Sequence, residues 1–196
     1  VVTMILWSFG FFRMGTVGLV AQALGRKDYN EITLVFIRNL ILALFFGVTL
    51  IFLKEPLIFL IEYFFTTTQE TQNLINKYIS IRLLSAPAEL IIYVLTGLYL
   101  GMQRMYVSSI MISIFCFSNA ILSSIFVIHF DLDILGVATG TVIAAYGTVI
   151  IFLSLSYFQL KKKLQIVLTY KKIFNTKKLF KLFNINFDIF IRTVLL

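Results

Sequence analysis

Long apolar runs separated by short charged turns dominate the pattern along the chain. Five of them cover residues 1–25, 32–53, 78–103, 105–128 and 134–160, and a sixth begins near Ile185. Each of the five has the roughly 20 mostly apolar residues that a helix needs to cross the hydrocarbon core of a bilayer. The fourth and fifth contain no charged residue. The turns "RKDYNE", "QRM" and "HFDLD" are short, as between packed helix hairpins. After Leu53 the pattern changes. "KEPLIFLIEYFF" has Pro56 as a helix starter and too few residues to span, which predicts a short interfacial helix. "TTTQETQN" then reads as a polar loop with capping residues ahead of the third span.

Composition agrees with this pattern. The chain is 60% hydrophobic and 13% charged. A soluble domain is typically about 45–50% apolar and about 25% charged. The expected fold class is therefore an all-α polytopic membrane protein, a bundle of spanning helices. The formal charge of +8 does not point to nucleic acid, because the lysines crowd into one tail and are not interleaved with aromatics along a folded face. It sets orientation instead. Alternate turns fall on opposite sides of the membrane. One side holds Arg26, Lys27, Arg104 and eight lysines between Lys161 and Lys181; the other holds Lys54 and Lys77. The first side is expected to be cytoplasmic by the positive-inside bias. Tyr63, Phe64, Phe65, Tyr78, Phe130 and Tyr157 stand near span ends, as an aromatic belt does. The basic stretch 161–183 reads as an amphipathic linker on the cytoplasmic lipid surface. No signal-peptide pattern is visible. The sequence opens at Val1 inside one apolar run and stops inside another, so both ends are expected to be cuts through a longer protein.

Polar residues within the spans are the candidate chemistry, since a charge at membrane depth costs about 2.5–3.5 kcal/mol on insertion scales. Arg13, Arg38, Arg82 and Glu89 lie in or near apolar runs. Arg82 and Glu89 are seven residues apart, two turns along one helical face, and Pro87 between them predicts a kink. A kinked span with a polar pair suits a moving part, and equally a structural ion pair. Arg13 and Gln22 share the first span with Gly15, Thr16 and Gly18, small residues that admit a neighbouring helix. Gly97 with Gly101 and Gly136 with Gly140 make two G-x-x-x-G spacings, a sign of close helix packing. Asn119 and Ser123 stack one turn apart in the fourth span. Thr141 lies on the fifth span, beyond a short turn, so the three are placed to converge on a hard cation or a proton relay, or simply to hydrogen-bond the helices together. Cys116 reads as a small core hydrophobe, and a single cysteine excludes a disulfide. His129 is the only histidine. No hydrolase, phosphate-loop or dinucleotide pattern appears, so an enzyme is not expected and an ATP-driven pump is not encoded here.

Four separated segments, "FGFFRMGTVGLVAQALGRKD", "RLLSAPAELIIYVLTGLYLGMQ", "NAILSSIFVIHFDLDILGVATGTVIAAY" and "NINFDIFIRTVLL", resemble the multidrug and toxic compound extrusion (MATE) family, most of all its DinF-like bacterial branch. The resemblance covers nearly the whole chain in order. It implies a two-lobe transporter of twelve helices, of which residues 1–160 are spans two to six of the N-terminal lobe. Residues 161–183 are then the interlobe linker and residues 184–196 the start of the first helix of the C-terminal lobe. It implies a bacterial inner (plasma) membrane protein and a monomer, exporting small organic, often cationic compounds by Na⁺ or H⁺ antiport. No cofactor is expected, and no metal beyond Na⁺ as coupling ion at Asn119 and Thr141. The family site uses an acid of the first helix, an Asn and an Asp four apart, and a Thr. Asn119 and Thr141 match, whereas Ser123 stands where the Asp is expected. The alternatives are a lipid-linked precursor flippase of the same superfamily and a non-functional gene fragment.

Overall fold

The computed structural model describes residues 2–64, 68–163 and 191. Its elements are helices: α1 (Val2–Ser8), α2 (Phe11–Gly25), α3 (Tyr29–Phe52), α4 (Lys54–Phe64), α5 (Gln69–Leu83), α6 (Ala86–Gly101), α7 (Met105–Ile128) and α8 (Asp133–Lys163). Four helical units are long and apolar enough to cross a membrane: 2–25, 29–52, 105–128 and 133–160. The pair α5 and α6, bent by 43° at its break, makes a fifth. The chain is thus an all-helical, multi-pass membrane protein. Most of the tail 164–196, with nearly all of the stretch 161–183 read as a linker and the sixth apolar run, lies outside the described residues.

Two spans are broken, the first where a continuous helix was expected and the third at the kink expected from Pro87. The first divides at Phe9–Gly10 into α1 and α2. Phe9, Phe11, Phe12 and Phe46 fill that break with rings 4.7–6.4 Å apart. The third span begins at Gln69, well before residue 78, so much of the stretch read as a polar loop is helix. Thr68 stands at its N-cap position and exchanges a 2.9 Å hydroxyl contact with Thr71. The break between α5 and α6 follows from Pro87, which occupies the first turn of α6 and lacks the N–H that would continue α5. The segment after Leu53 forms α4, an eleven-residue helix too short to span.

Glycines set the packing. A Cβ on Gly97 would lie 2.8 Å from the Arg13 carbonyl oxygen and 2.6 Å from Thr16 Cβ, and one on Gly101 would lie 2.7 Å from Val20 Cβ. The order of these contacts makes α2 and α6 parallel. Gly136 and Gly140 seat α8 on α7 at Phe126 and Ser123, which makes that pair antiparallel. Tyr146 Oη donates to the Leu84 carbonyl at 3.1 Å, and Tyr99 Oη contacts Ser156 Oγ at 2.9 Å, so α8 runs alongside the bent span in the same direction. Ser156 spends its one proton on the Phe152 carbonyl at 2.7 Å, so Tyr99 is the donor of that pair. Arg104 donates to Gln159 Oε1 at 2.6 Å. The Arg26–Lys27 turn, the Arg104 turn and the end of α8 therefore share one side of the bundle.

One helix departs from the expected core. Only Ser108 and Met111 of α7 are buried among the described residues, and Cys116 is exposed. Cys116 is not a core residue of this chain, because α7 packs closely on α8 along one face and leaves its opposite face open.

Candidate functional site

Two clusters of polar side chains within the bundle gather most of the candidate residues. The first joins α7 and α8. Asn119 and Ser123 are one turn apart on α7, and Ser123 Oγ donates to Asn119 Oδ1 at 3.0 Å. Thr141 Oγ1 approaches the same oxygen at 3.4 Å, but it also donates to the Val137 carbonyl at 2.8 Å. A threonine hydroxyl has one proton. The shorter bond takes it, which leaves the Thr141 lone pairs directed at Asn119. Gly140, beside Thr141, has no side chain to hold the helices apart: a Cβ there would stand 2.8 Å from Ser123 Oγ. The three residues singled out from spacing are thus brought together at one point of closest helix approach. They supply oxygens and no formal charge.

The second group straddles the α5–α6 break. Arg82, at the end of α5, donates through Nη1 to Glu89 Oε1 on α6 and to Ser85 Oγ in the break itself. The Ser85 proton has two acceptors, the Glu89 carboxylate at 2.8 Å and the Arg82 carbonyl at 2.7 Å. The side chains of Arg82 and Glu89 are 9% and 13% exposed, so this is a nearly desolvated ion pair. Glu89 lies twelve residues before the end of α6, about 18 Å of helix, which is deep within a hydrocarbon core about 30 Å thick. Pro87 is buried between the partners, against Gly47 of α3. The two charged side chains at this kink pair directly.

Arg13 is half-buried on α2, and its guanidinium makes no hydrogen bond or ion pair among the described residues. Tyr93, one turn after Glu89, lies in the electrostatic fields of Glu89, Arg13 and Arg82, so all four belong to one neighbourhood. Gln22 is exposed on α2, apart from both groups. Ser85, Tyr93, Tyr146 and Gly47 were not singled out from sequence. A serine two residues before a proline, between an arginine and a glutamate, was the available signal for Ser85; the other three depend on contacts between helices. Arg38 is fully buried and pairs with Glu31 at 3.5 Å, seven residues away on α3. Among the described residues there is no cluster of His, Cys, Asp and Glu that would hold a metal ion.

A family model described as MatE matches residues 1–126. The chain belongs to the MatE family. It is 33% identical to DNA damage-inducible protein F of Escherichia coli (strain K12) over 141 residues, which are 72% of this chain and 31% of that protein. It is 26% identical to the multidrug export protein MepA of Staphylococcus saprophyticus over 186 residues, 94% of this chain and 41% of that one. The crystal structure of a MATE point mutant superposes with a TM-score of 0.84 at 19% identity, covering 98% of this chain and 43% of the other. That likeness shows the MATE fold. The chain spans less than half the length of the MatE relatives it matches.

Proposed function

We propose that this chain forms spans two to six of the N-terminal lobe, and the start of span seven, of a secondary active transporter in the bacterial inner membrane. The longer protein exports small organic, often cationic compounds against an inward flow of Na⁺ or H⁺. Residues 161–183 are its cytoplasmic interlobe linker. The second lobe completes the transport path, and the protein works as a monomer.

The observation that carries this reading is the meeting of Asn119, Ser123 and Thr141 between α7 and α8. Oxygen ligands suit a small hard cation. The Asn119 amide has two orientations, and its assignment follows from the hydrogen-bond network. With Oδ1 inward, three oxygens face one another and are ready for a cation. Turned over, the amide donates an N–H to the free lone pair of Thr141, which satisfies the site without one. An ion shifts the transporter between its forms only through a different affinity for each. Because Gly140 holds α7 and α8 in backbone contact here, a small slide of one helix changes every oxygen–oxygen distance in the site. Serine at 123 carries no charge, so a carboxylate elsewhere in the longer protein supplies the negative charge of the coupling site.

The test is transport by the full-length protein in proteoliposomes. An imposed Na⁺ or H⁺ gradient is expected to drive a fluorescent organic cation across the membrane, and Asn119→Ala is expected to uncouple it. If neither gradient moves any of a panel of organic cations, the antiporter reading fails.

A further inference from the structure

The charges around the α5–α6 break do not balance. Two arginines, Arg13 and Arg82, share the neighbourhood with one carboxylate, Glu89. Arg82 holds Glu89 in this form, and Arg13 has no partner among the described residues. The two arginines sit on opposite sides of the acid along the membrane normal. Arg82 lies across the break on α5. The Thr16–Gly97 contact sets Arg13 level with Val94, five residues and about 7.5 Å of rise beyond Glu89 toward the basic side. Side chains on a helix lean toward its N-terminus, so Arg13 leans toward Glu89.

The two arginines also differ in what carries them. Arg13 rides on α2, which is locked to α6 by Gly97 and Gly101; Glu89 rides on α6. Their spacing is fixed by a rigid pair. Arg82 rides on α5, which joins α6 through a two-residue break bent by 43°. At that break Pro87 rests on Gly47, and the Leu84 carbonyl is held from outside by Tyr146 Oη. Tyr93 stands one turn along α6 from the acid and Tyr146 of α8 sits at the break; of the other packed elements, α1 has no titratable side chain, and α3 has none between Asn39 and its end at Phe52.

We propose that Glu89 is exchanged between Arg82 and Arg13, and that this exchange makes the α5–α6 break a two-position gate. In the form described here α5 is bent and Arg82 holds the acid. When α5 swings away, Arg13 takes the acid and the charge is never left alone in the membrane. The hinge gains two discrete positions because each has its own ion pair. This inference does not depend on the Asn119 site or on the identity of any substrate.

The experiment measures the position of α5 in the full-length protein in nanodiscs. Spin labels are placed through L74C on α5 and F130C in the α7–α8 turn, both exposed, with Cys116 and any further cysteine of the longer protein replaced by serine. Leu74 lies ten residues from the break, so a swing of 43° moves it by about 11 Å. Two distance populations are expected. Arg82→Gln shifts them toward the swung form, and Arg13→Gln shifts them by about tenfold the other way, toward the bent form. In an Arg82→Ala/Glu89→Ala background, which removes both charges of the pair, Arg13→Gln shifts nothing. Opposite shifts, with an Arg13 effect that vanishes without Glu89, establish the exchange. A single distance that no variant moves, shifts in the same direction, or an Arg13 effect that survives without Glu89 overturns it. Because no substrate or ion gradient enters the measurement, its failure is distinct from a failure of the antiporter reading.

Discussion

Gly47 of α3 lies flat against Pro87 of α6: a methyl group on Gly47 would stand 2.4 Å from Pro87 Cα. Backbone meets backbone there, so no side chain can turn aside to make room. The contact presses the C-terminal part of α3 onto the place where the third span is broken, and it gives the hinge a fixed support.

Gly47→Ala is therefore expected to destabilise the bundle by about 1–3 kcal/mol through overpacking. Gly18→Ala is the matched control. A Cβ at Gly18 meets nothing within 4 Å, and alanine in a helix gains about 0.5–1 kcal/mol over glycine. The two substitutions add the same atom to the same kind of helix and should move stability in opposite directions. Thermal unfolding of the purified full-length protein, followed by tryptophan fluorescence or by loss of monodisperse protein, checks both.

The ion pair at the break makes a second prediction. Removing one partner leaves the other charge nearly desolvated, at a cost of about 3–5 kcal/mol, whereas replacing both by apolar residues is often nearly neutral. Glu89→Leu should destabilise strongly, Arg82→Leu less because Arg13 is left to take the acid, and Arg82→Leu/Glu89→Leu should recover most of the loss of Glu89→Leu. A double-mutant cycle on unfolding free energies measures the coupling. Additive effects would mean that the contact between the two side chains has no energetic weight.

How much of this was legible in the sequence depends on whether the decisive interaction is local. The spans follow from apolar length, and the Arg82–Glu89 pair from a spacing of seven with Pro87 between. The convergence of Asn119, Ser123 and Thr141 follows from one turn of helix and a short connection. The break at Phe9–Gly10 carries no proline and was hidden by an unbroken apolar run; it is filled by Phe46 from another helix, and sequence spacing cannot reveal that. The helical start at Gln69 was hidden by polarity, because α5 begins with residues that suit a loop equally well. Gly47 looked like any small residue in a span until its partner was known. Cys116 was misplaced for the converse reason: apolar sequence says that a helix avoids water, and not which side of it packs on protein.

Gly140 tests the geometry of the candidate cation site without touching its ligands. A Cβ there would fall 2.7 Å from the Ser123 backbone nitrogen and 2.9 Å from its Cα. Gly140→Ala should push α8 away from α7 and lengthen the 3.4 Å approach of Thr141 to Asn119. With the amide no longer shared, cation binding should weaken about tenfold or more, since second-layer changes at metal sites typically cost 10–100-fold. Isothermal titration of the full-length protein with Na⁺ reads this directly. Unchanged affinity would place the ion elsewhere.

Ser123 offers the most direct test of charge. It already donates to Asn119 Oδ1 at 3.0 Å, so an acid at this position would lie within the same oxygen group. Ser123→Asp adds a negative charge to a site whose three side chains are neutral. A cation within about 4 Å of a carboxylate is favoured by about 4 kcal/mol at the effective dielectric of a protein surface, before the cost of burying that carboxylate. The expected outcome is tighter Na⁺ binding and a larger rise in unfolding temperature on adding Na⁺, because a ligand that binds only the folded form stabilises it by mass action. Ser123→Ala removes an oxygen and should do the reverse. Without Na⁺ the aspartate must either take up a proton or remain an unpaired charge, so the sodium-free variant should be less stable at high pH than at low pH. A variant that gains nothing from Na⁺ at any pH would show that Asn119, Ser123 and Thr141 only tie α7 to α8.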